Sequence, residues 1–166
     1  MHSPSAESRA DDGRAKELRL KRGEERRLSA GHVWVFSNEI DADTTPLAAF
    51  APGDLAQIKS QRGQFLGHAY VNPHALICAR VLSKDPAHPI DRALLDARLR
   101  AALTLRERLC REPYYRLIFG ESDGLPGLVL DRYGDVVVGQ IATAGMEALQ
   151  DTVTEAVRVL LSPACL

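Results

Sequence analysis

The spacing of apolar residues first turns from strand-like to helical between Pro86 and Pro89, and that change constrains the fold more than any other feature. Before it, short runs rich in β-branched and aromatic residues alternate with turns that carry glycine or proline. The runs are Leu18 to Lys21, His32 to Phe36, Leu55 to Lys59, Phe65 to Val71 and Leu76 to Leu82. Runs of this length at close spacing read as strands of a small β-barrel or roll. Leu55 and Ile58 are the large apolar residues of their strand, and Gln61-Arg62-Gly63-Gln64 reads as a hairpin connection. Glu24 to Ala30 reads as a short helix that Gly31 stops.

After the change the period becomes helical. Asp91 to Arg111 carries Leu94, Leu95, Leu99, Ala102, Leu103 and Leu109 on one face and an Arg-rich face opposite, with Asp91 in the first turn. Arg116 to Glu121, Leu128 to Arg132 and Val136 to Ile141 then read as a β-meander. Gly145 to Leu161 reads as a second helix with Met146, Leu149, Val153, Val157 and Leu160 on one stripe. The expected class is therefore α+β: a small β-barrel, then a helix, a three-stranded meander and a second helix. The expected division is a disordered leader over 1–15, a first domain over 16–87 and an α/β region over 88–166. The leader has small polar residues and mixed charge but no apolar core of a secretory signal. No apolar run approaches the ~20 residues of a membrane span, so a cytoplasmic protein without membrane contact is expected.

The net charge of −1 hides an asymmetry. From Arg14 to His32 there are seven basic residues against three acidic ones, whereas from Glu121 onward there are two basic against seven acidic. Two surfaces with different partners are implied. The three cysteines, Cys78, Cys110 and Cys165, are scattered and form no C-x-x-C pair, which suits buried thiols in a reducing compartment. No two glycines stand at i and i+2, so the Gly-x-Gly turn of a doubly wound cofactor domain is missing. Phosphate-loop, nucleophile-elbow and metal-spaced histidine motifs are missing too. No catalytic, cofactor or metal residue is assigned.

Two clusters remain. Lys21, Arg22, Arg26 and Arg27 precede His32, Trp34 and Phe36. Basic side chains bind a phosphate chain through counterion release, and aromatic rings stack on unpaired bases. Lys21, Arg22, Arg26, Arg27, His32 and Trp34 are the candidate RNA-binding residues, while core packing competes as the explanation for Trp34 and more strongly for Phe36. The second cluster is Gly120-Glu121-Ser122-Asp123-Gly124-Leu125-Pro126-Gly127. Glu121 and Asp123 have the chemistry of an acid/base pair, but carboxylates that cap backbone N–H groups of a turn fit the pattern better.

The stretch RLIFGESDGLPGLVLDRYGDVVVGQIATAGMEAL, Arg116 to Leu149, closely resembles the central region of the RlmI-like family, S-adenosylmethionine-dependent cytosine-C5 methyltransferases of large-subunit ribosomal RNA. LRLKRGEERRLSAGHVWVFSNEI resembles the start of that family's N-terminal PUA domain, and Pro52-Gly53-Asp54 fits it as well. Val33 departs from the pattern, which has proline between the histidine and the tryptophan. The resemblance implies a PUA-like RNA-binding domain over 16–87 and a central region over 88–166. In the family a Rossmann-like domain follows and carries the cofactor and the nucleophilic cysteine. The chain is thus expected to be an RNA-binding, substrate-positioning fragment, active in ribosomal RNA processing, without a cofactor of its own. Its expected partners are ribosomal RNA and the methyltransferase domain, with a homodimer as a further possibility. A scaffold or dimerisation module without RNA contact is the alternative, and an enzyme using Glu121 and Asp123 a third.

Overall fold

The computed structural model describes residues 16–166. The expected leader over 1–15, and with it Arg14, lies outside the described residues. The first half contains β1 (Lys16–Arg19), α1 (Glu25–Ser29), β2 (Trp34–Phe36), β3 (Leu55–Lys59), β4 (Phe65–Val71) and β5 (Ile77–Ser83). Its five strands form one sheet in the order β1-β3-β4-β5-β2. β1 runs parallel to β3, and the other pairings are antiparallel. The two edges of the sheet meet just beyond β1 and β2. Leu20 bridges Ile40, Lys21 N–H donates to the Glu39 carbonyl at 2.8 Å, and Asp41 N–H donates to the Arg19 carbonyl at 2.9 Å. That closure removes the open edges and makes the sheet a barrel.

Leu18, Leu20, Leu28, Val35, Ile58, Val71 and Val81 fill the barrel. β3 stands over the expected residues, Leu55–Lys59. Leu55 and Ile58 are three residues apart, and a period of two puts them on opposite faces. Ala56 and Ile58 point inward, while Leu55 is exposed.

The second half contains α2 (Arg92–Leu109), β6 (Tyr114–Phe119), β7 (Leu128–Tyr133), β8 (Val136–Ile141), α3 (Ala144–Ala148) and α4 (Gln150–Leu161). Asp91 is the N-cap of α2: its side chain accepts the Leu94 N–H at 2.9 Å. β6, β7 and β8 form the expected antiparallel meander. One sheet face packs Leu117, Leu128, Leu130 and Val137 against Leu95 and Leu99 of α2 and Val153 and Val157 of α4. The single C-terminal helix read from the sequence is two. Leu149, at φ −97° and ψ 3°, separates α3 from α4, and Thr143 caps α3 by accepting the Met146 N–H.

The two halves share contacts that fix one against the other. Tyr70 of β4 belongs to the second core rather than to the barrel interior. Its hydroxyl donates to the Pro126 carbonyl and accepts from the Thr143 hydroxyl, each at 3.0 Å. The Arg98 guanidinium donates to the carbonyls of Leu82, at the end of the barrel, and of Gly124. Gly124 is left-handed at φ 71°, and a Cβ there would fall 1.4 Å from Arg98 Nη1, so both backbone and space require glycine. Among the described residues no helix is long and apolar enough to cross a membrane.

Candidate nucleic-acid interface

Four of the six residues singled out by sequence fall into two places, and Lys21 and Arg27 into neither. The first is formed by α1 and the β3–β4 hairpin. α1 is one short turn anchored by buried Leu28, and the Glu25 carboxylate accepts the Gly23 N–H at 2.9 Å. The hairpin tip is set by Gly63 N–H donating to the Ser60 carbonyl at 2.9 Å. Between them lies a concavity of about 340 Å³ lined by Arg22, Gly23, Glu25, Arg26, Ser60, Gln61 and Arg62. Arg22, Arg26 and Arg62 are exposed, and none has a carboxylate within salt-bridge distance among the described residues. Three unpaired guanidinium groups around one concave surface form a ready site for phosphate oxygens.

Arg27 and Lys21 behave differently from their neighbours. The Arg27 guanidinium pairs with Glu39 at 2.8 Å and lies 4.8 Å from the centre of the Phe36 ring. Glu39 is buried, and its other oxygen accepts the Phe36 N–H at 2.8 Å. Arg27 thus neutralises a buried carboxylate and covers Phe36, which is half-buried beneath it rather than in the barrel core. Lys21 donates to the Asn38 carbonyl at 2.8 Å and remains exposed.

His32 and Trp34 lie in the second place, where β2 faces the turn 120–123 of the other half. A concavity of about 400 Å³ is lined by Gly31, His32, Val33, Trp34, Glu121 and Ser122. The Trp34 indole N–H donates to Glu121 at 2.8 Å. Trp34 is exposed, so core packing does not account for it. The two acidic residues of the turn separate in role. Asp123 accepts the Phe119 N–H and the Arg106 guanidinium, both at 2.7 Å, and so holds the turn as a structural cap. Glu121 turns to Trp34 instead.

Sequence reasoning missed Arg62 and Arg80. Arg62 was hidden in a turn, where an exposed charge is unremarkable. Arg80 sits on β5 directly opposite Trp34, and its pairing is visible only once the strands are in register. The cysteines also divide. Cys78 is buried, and burial pushes its thiol up to about 12; Cys110 is half-buried and Cys165 exposed, which corrects the expectation of three buried thiols. No group of three or more His, Cys, Asp or Glu residues is placed to hold a metal among the described residues. Among the described residues, the glycine turn between a parallel strand and a helix through which a doubly wound domain holds S-adenosylmethionine does not occur: the parallel pairing of named strands is β1 with β3.

A family model described as a PUA-like domain matches residues 18–84. The chain is 39% identical over 153 residues to ribosomal RNA large subunit methyltransferase I of Shewanella denitrificans, with 89% of the chain and 37% of that relative aligned. The protein of the same name from Cronobacter sakazakii is 37% identical over 151 residues, again with 89% and 37% covered. The resemblance to the RlmI-like proteins, first read from Arg116 to Leu149 and from the start of the barrel, therefore holds along most of the chain. The chain spans 37% of the length of these curated relatives. Among solved structures, a candidate methyltransferase complexed with SAH superposes with a TM-score of 0.75 at 18% identity, over 89% of this chain and 38% of that one. A candidate SAM-dependent methyltransferase from Streptococcus mutans superposes at 0.71, also at 18% identity, over 88% and 38%. At that identity the likeness is one of fold.

Proposed function

We propose that this chain binds ribosomal RNA through its PUA-like domain and positions it for a SAM-dependent cytosine-C5 methyltransferase of the large subunit. The observation that carries the reading is the concavity where Arg22 and Arg26 of the α1 segment meet Arg62 of the hairpin tip. Phosphate contacts of this kind set affinity and register without reading sequence. Lys21 extends the same basic surface, and His32 and Trp34 follow α1, at and just before the start of β2. In this reading residues 16–87 contact RNA, and 88–166 brace that domain through Tyr70 and Arg98. In this reading the methyl donor and the reacting cysteine are supplied by the methyltransferase domain that the family resemblance implies, not by residues 16–166. The working compartment is the cytoplasm, where ribosomal RNA is processed.

The test is binding of a structured large-subunit ribosomal RNA fragment by fluorescence anisotropy. The R22E/R26E/R62E variant should bind at least about tenfold more weakly, with unchanged circular dichroism. Equal binding would overturn the reading. Arg27 is left out of that set because its loss uncovers buried Glu39 and would confuse folding with binding.

A second reading, a scaffold that docks on the methyltransferase domain or a second copy of the chain, is favoured by the outer face of the meander. Tyr114, Phe119, Tyr133 and Val138 are exposed there around the Arg116–Asp131 ion pair. A chain that remains monomeric in light scattering and binds RNA would leave the first reading in place.

A further inference from the structure

The cleft around Glu121 is a second polar and aromatic site that the phosphate-binding surface leaves unused. Two concavities lie side by side there and share Glu121 and Ser122. One, of about 400 Å³, is walled by His32 and Trp34; the other, of about 320 Å³, by Arg80, Phe119 and Thr143. Trp34 is 39% exposed and Phe119 54%, so each concavity carries a large ring open to solvent. Between the rings the Glu121 carboxylate accepts the Trp34 indole N–H and stands 3.9 Å from Arg80 Nε. Among the described residues Arg80 Nε is buried without a hydrogen-bond partner, and Arg80 lines the cleft. A desolvated guanidinium N–H without a hydrogen bond is costly even with a carboxylate at ion-pair distance, and an incoming acceptor relieves it.

We propose that this cleft holds one unpaired RNA base that carries an exocyclic amino group. The base stacks on Trp34, its amine donates to Glu121, and a ring nitrogen or carbonyl accepts from the Arg80 guanidinium. Three observations select this chemistry. A ring open on one face suits a planar partner and gives roughly 5- to 150-fold in affinity for each stacked base. A carboxylate beside a guanidinium matches a base edge that offers a donor next to an acceptor. The same carboxylate repels phosphate, so the cleft is not a second backbone site. Adenine, cytosine and guanine have the amine; uracil offers only a ring N–H flanked by two carbonyls, so holding it between Glu121 and Arg80 sets its second carbonyl against the carboxylate. The proposal rests on the RNA reading above and extends it from the phosphate chain to a base.

Trp34 is the sole tryptophan, so its fluorescence reports the cleft directly. The probes are single-stranded hexamers of A, C or U and an abasic sugar-phosphate hexamer, titrated against the full chain with fluorescence and anisotropy read together. Adenine- and cytosine-bearing hexamers should quench Trp34 to saturation, the U hexamer should bind several-fold more weakly, and the abasic hexamer should bind without quenching. W34A should lose 5- to 150-fold of the base-dependent affinity and W34F should recover most of it; E121Q should erase the preference against uracil. Equal quenching by the abasic hexamer, or unchanged affinity in W34A, would overturn the proposal. If RNA binds with salt dependence while Trp34 stays silent, the base site fails and the phosphate surface stands. If no oligonucleotide or ribosomal fragment binds at all, both fail. Trp34 emission that responds only to protein concentration would assign the cleft to a protein partner, which also overturns it.

Discussion

Replacing Gly145 by alanine sets two effects of opposite sign against each other. Gly145 lies in α3, and its φ is not in the left-handed region, so nothing in the backbone demands glycine. Helix propensity alone predicts a gain of about 0.5–1 kcal/mol. Packing predicts the reverse. A Cβ at Gly145 would lie 1.9 Å from Tyr70 Cγ and 2.1 Å from Cδ2, whereas carbon atoms prefer about 3.5–4.0 Å. Tyr70 is 1% exposed and its hydroxyl is held by both Pro126 and Thr143, so the ring has nowhere to go. Overpacking costs about 1–3 kcal/mol, and pulling the hydroxyl from its partners adds about 1–3 kcal/mol. The net expectation is a loss of about 1–5 kcal/mol, or a fall in Tm of roughly 2–20 °C for a chain of this size. Urea denaturation and calorimetry measure it. In a Tyr70→Ala background the obstacle is gone, and Gly145→Ala should then be neutral or stabilising. A wild-type background in which Gly145→Ala stabilises would refute the reasoning, because the close approach of α3 to β4 would not exist.

Further outcomes follow from the same contacts. Arg27→Ala should cost about 1–3 kcal/mol by urea denaturation, since water replaces only part of what Glu39 loses; adding Glu39→Gln should restore part of that loss. Cys165 should react with a thiol reagent in the native state at pH 8, while Cys78, buried with its thiol pushed up to about 12, should react only on unfolding; equal rates by mass spectrometry would contradict the barrel interior. Acid should destabilise the fold. The Lys59 hydrogen bond to Glu17 holds that carboxyl below its usual range. Burial works to raise Asp54, but the Lys16 ammonium and the Ala51 N–H outweigh it and leave the group lowered. Both groups are lower in the folded than in the unfolded chain, so their contribution is complete above the ordinary carboxylate range and is lost as pH falls through the folded values. The urea midpoint should therefore be flat from about pH 6 to 7 and drop below about pH 4, less so in Lys59→Gln.

Strand periods and turns were legible in the sequence because they are local. β3, β4 and β8 stand where alternation placed them, and α2 begins at the Asp91 cap. The parallel pairing of β1 with β3 was not legible, since a short strand's partner depends on tertiary packing. The break at Leu149 interrupts a continuous apolar stripe, so periodicity alone joined α3 to α4. For the site, adjacency in sequence grouped Arg22, Arg26 and Arg27. One step along a helix turns the side chain by about 100°, enough to carry Arg27 to Glu39 while Arg26 faces the concavity with Arg62. Glu121 was read as a turn residue because its partner, Trp34, is 87 positions away.

The central claim is that Arg22, Arg26 and Arg62 together hold RNA phosphates. Its most direct test is the salt dependence of binding to a large-subunit ribosomal RNA fragment, between about 50 and 200 mM, for the parent chain and for R22Q/R26Q/R62Q. Each neutralised phosphate contributes roughly 0.7–0.9 to the slope of log affinity against log salt. The account predicts that the variant's slope is shallower by about 2, with folding unchanged. An identical slope in the two proteins, or no salt dependence in the parent, would contradict it.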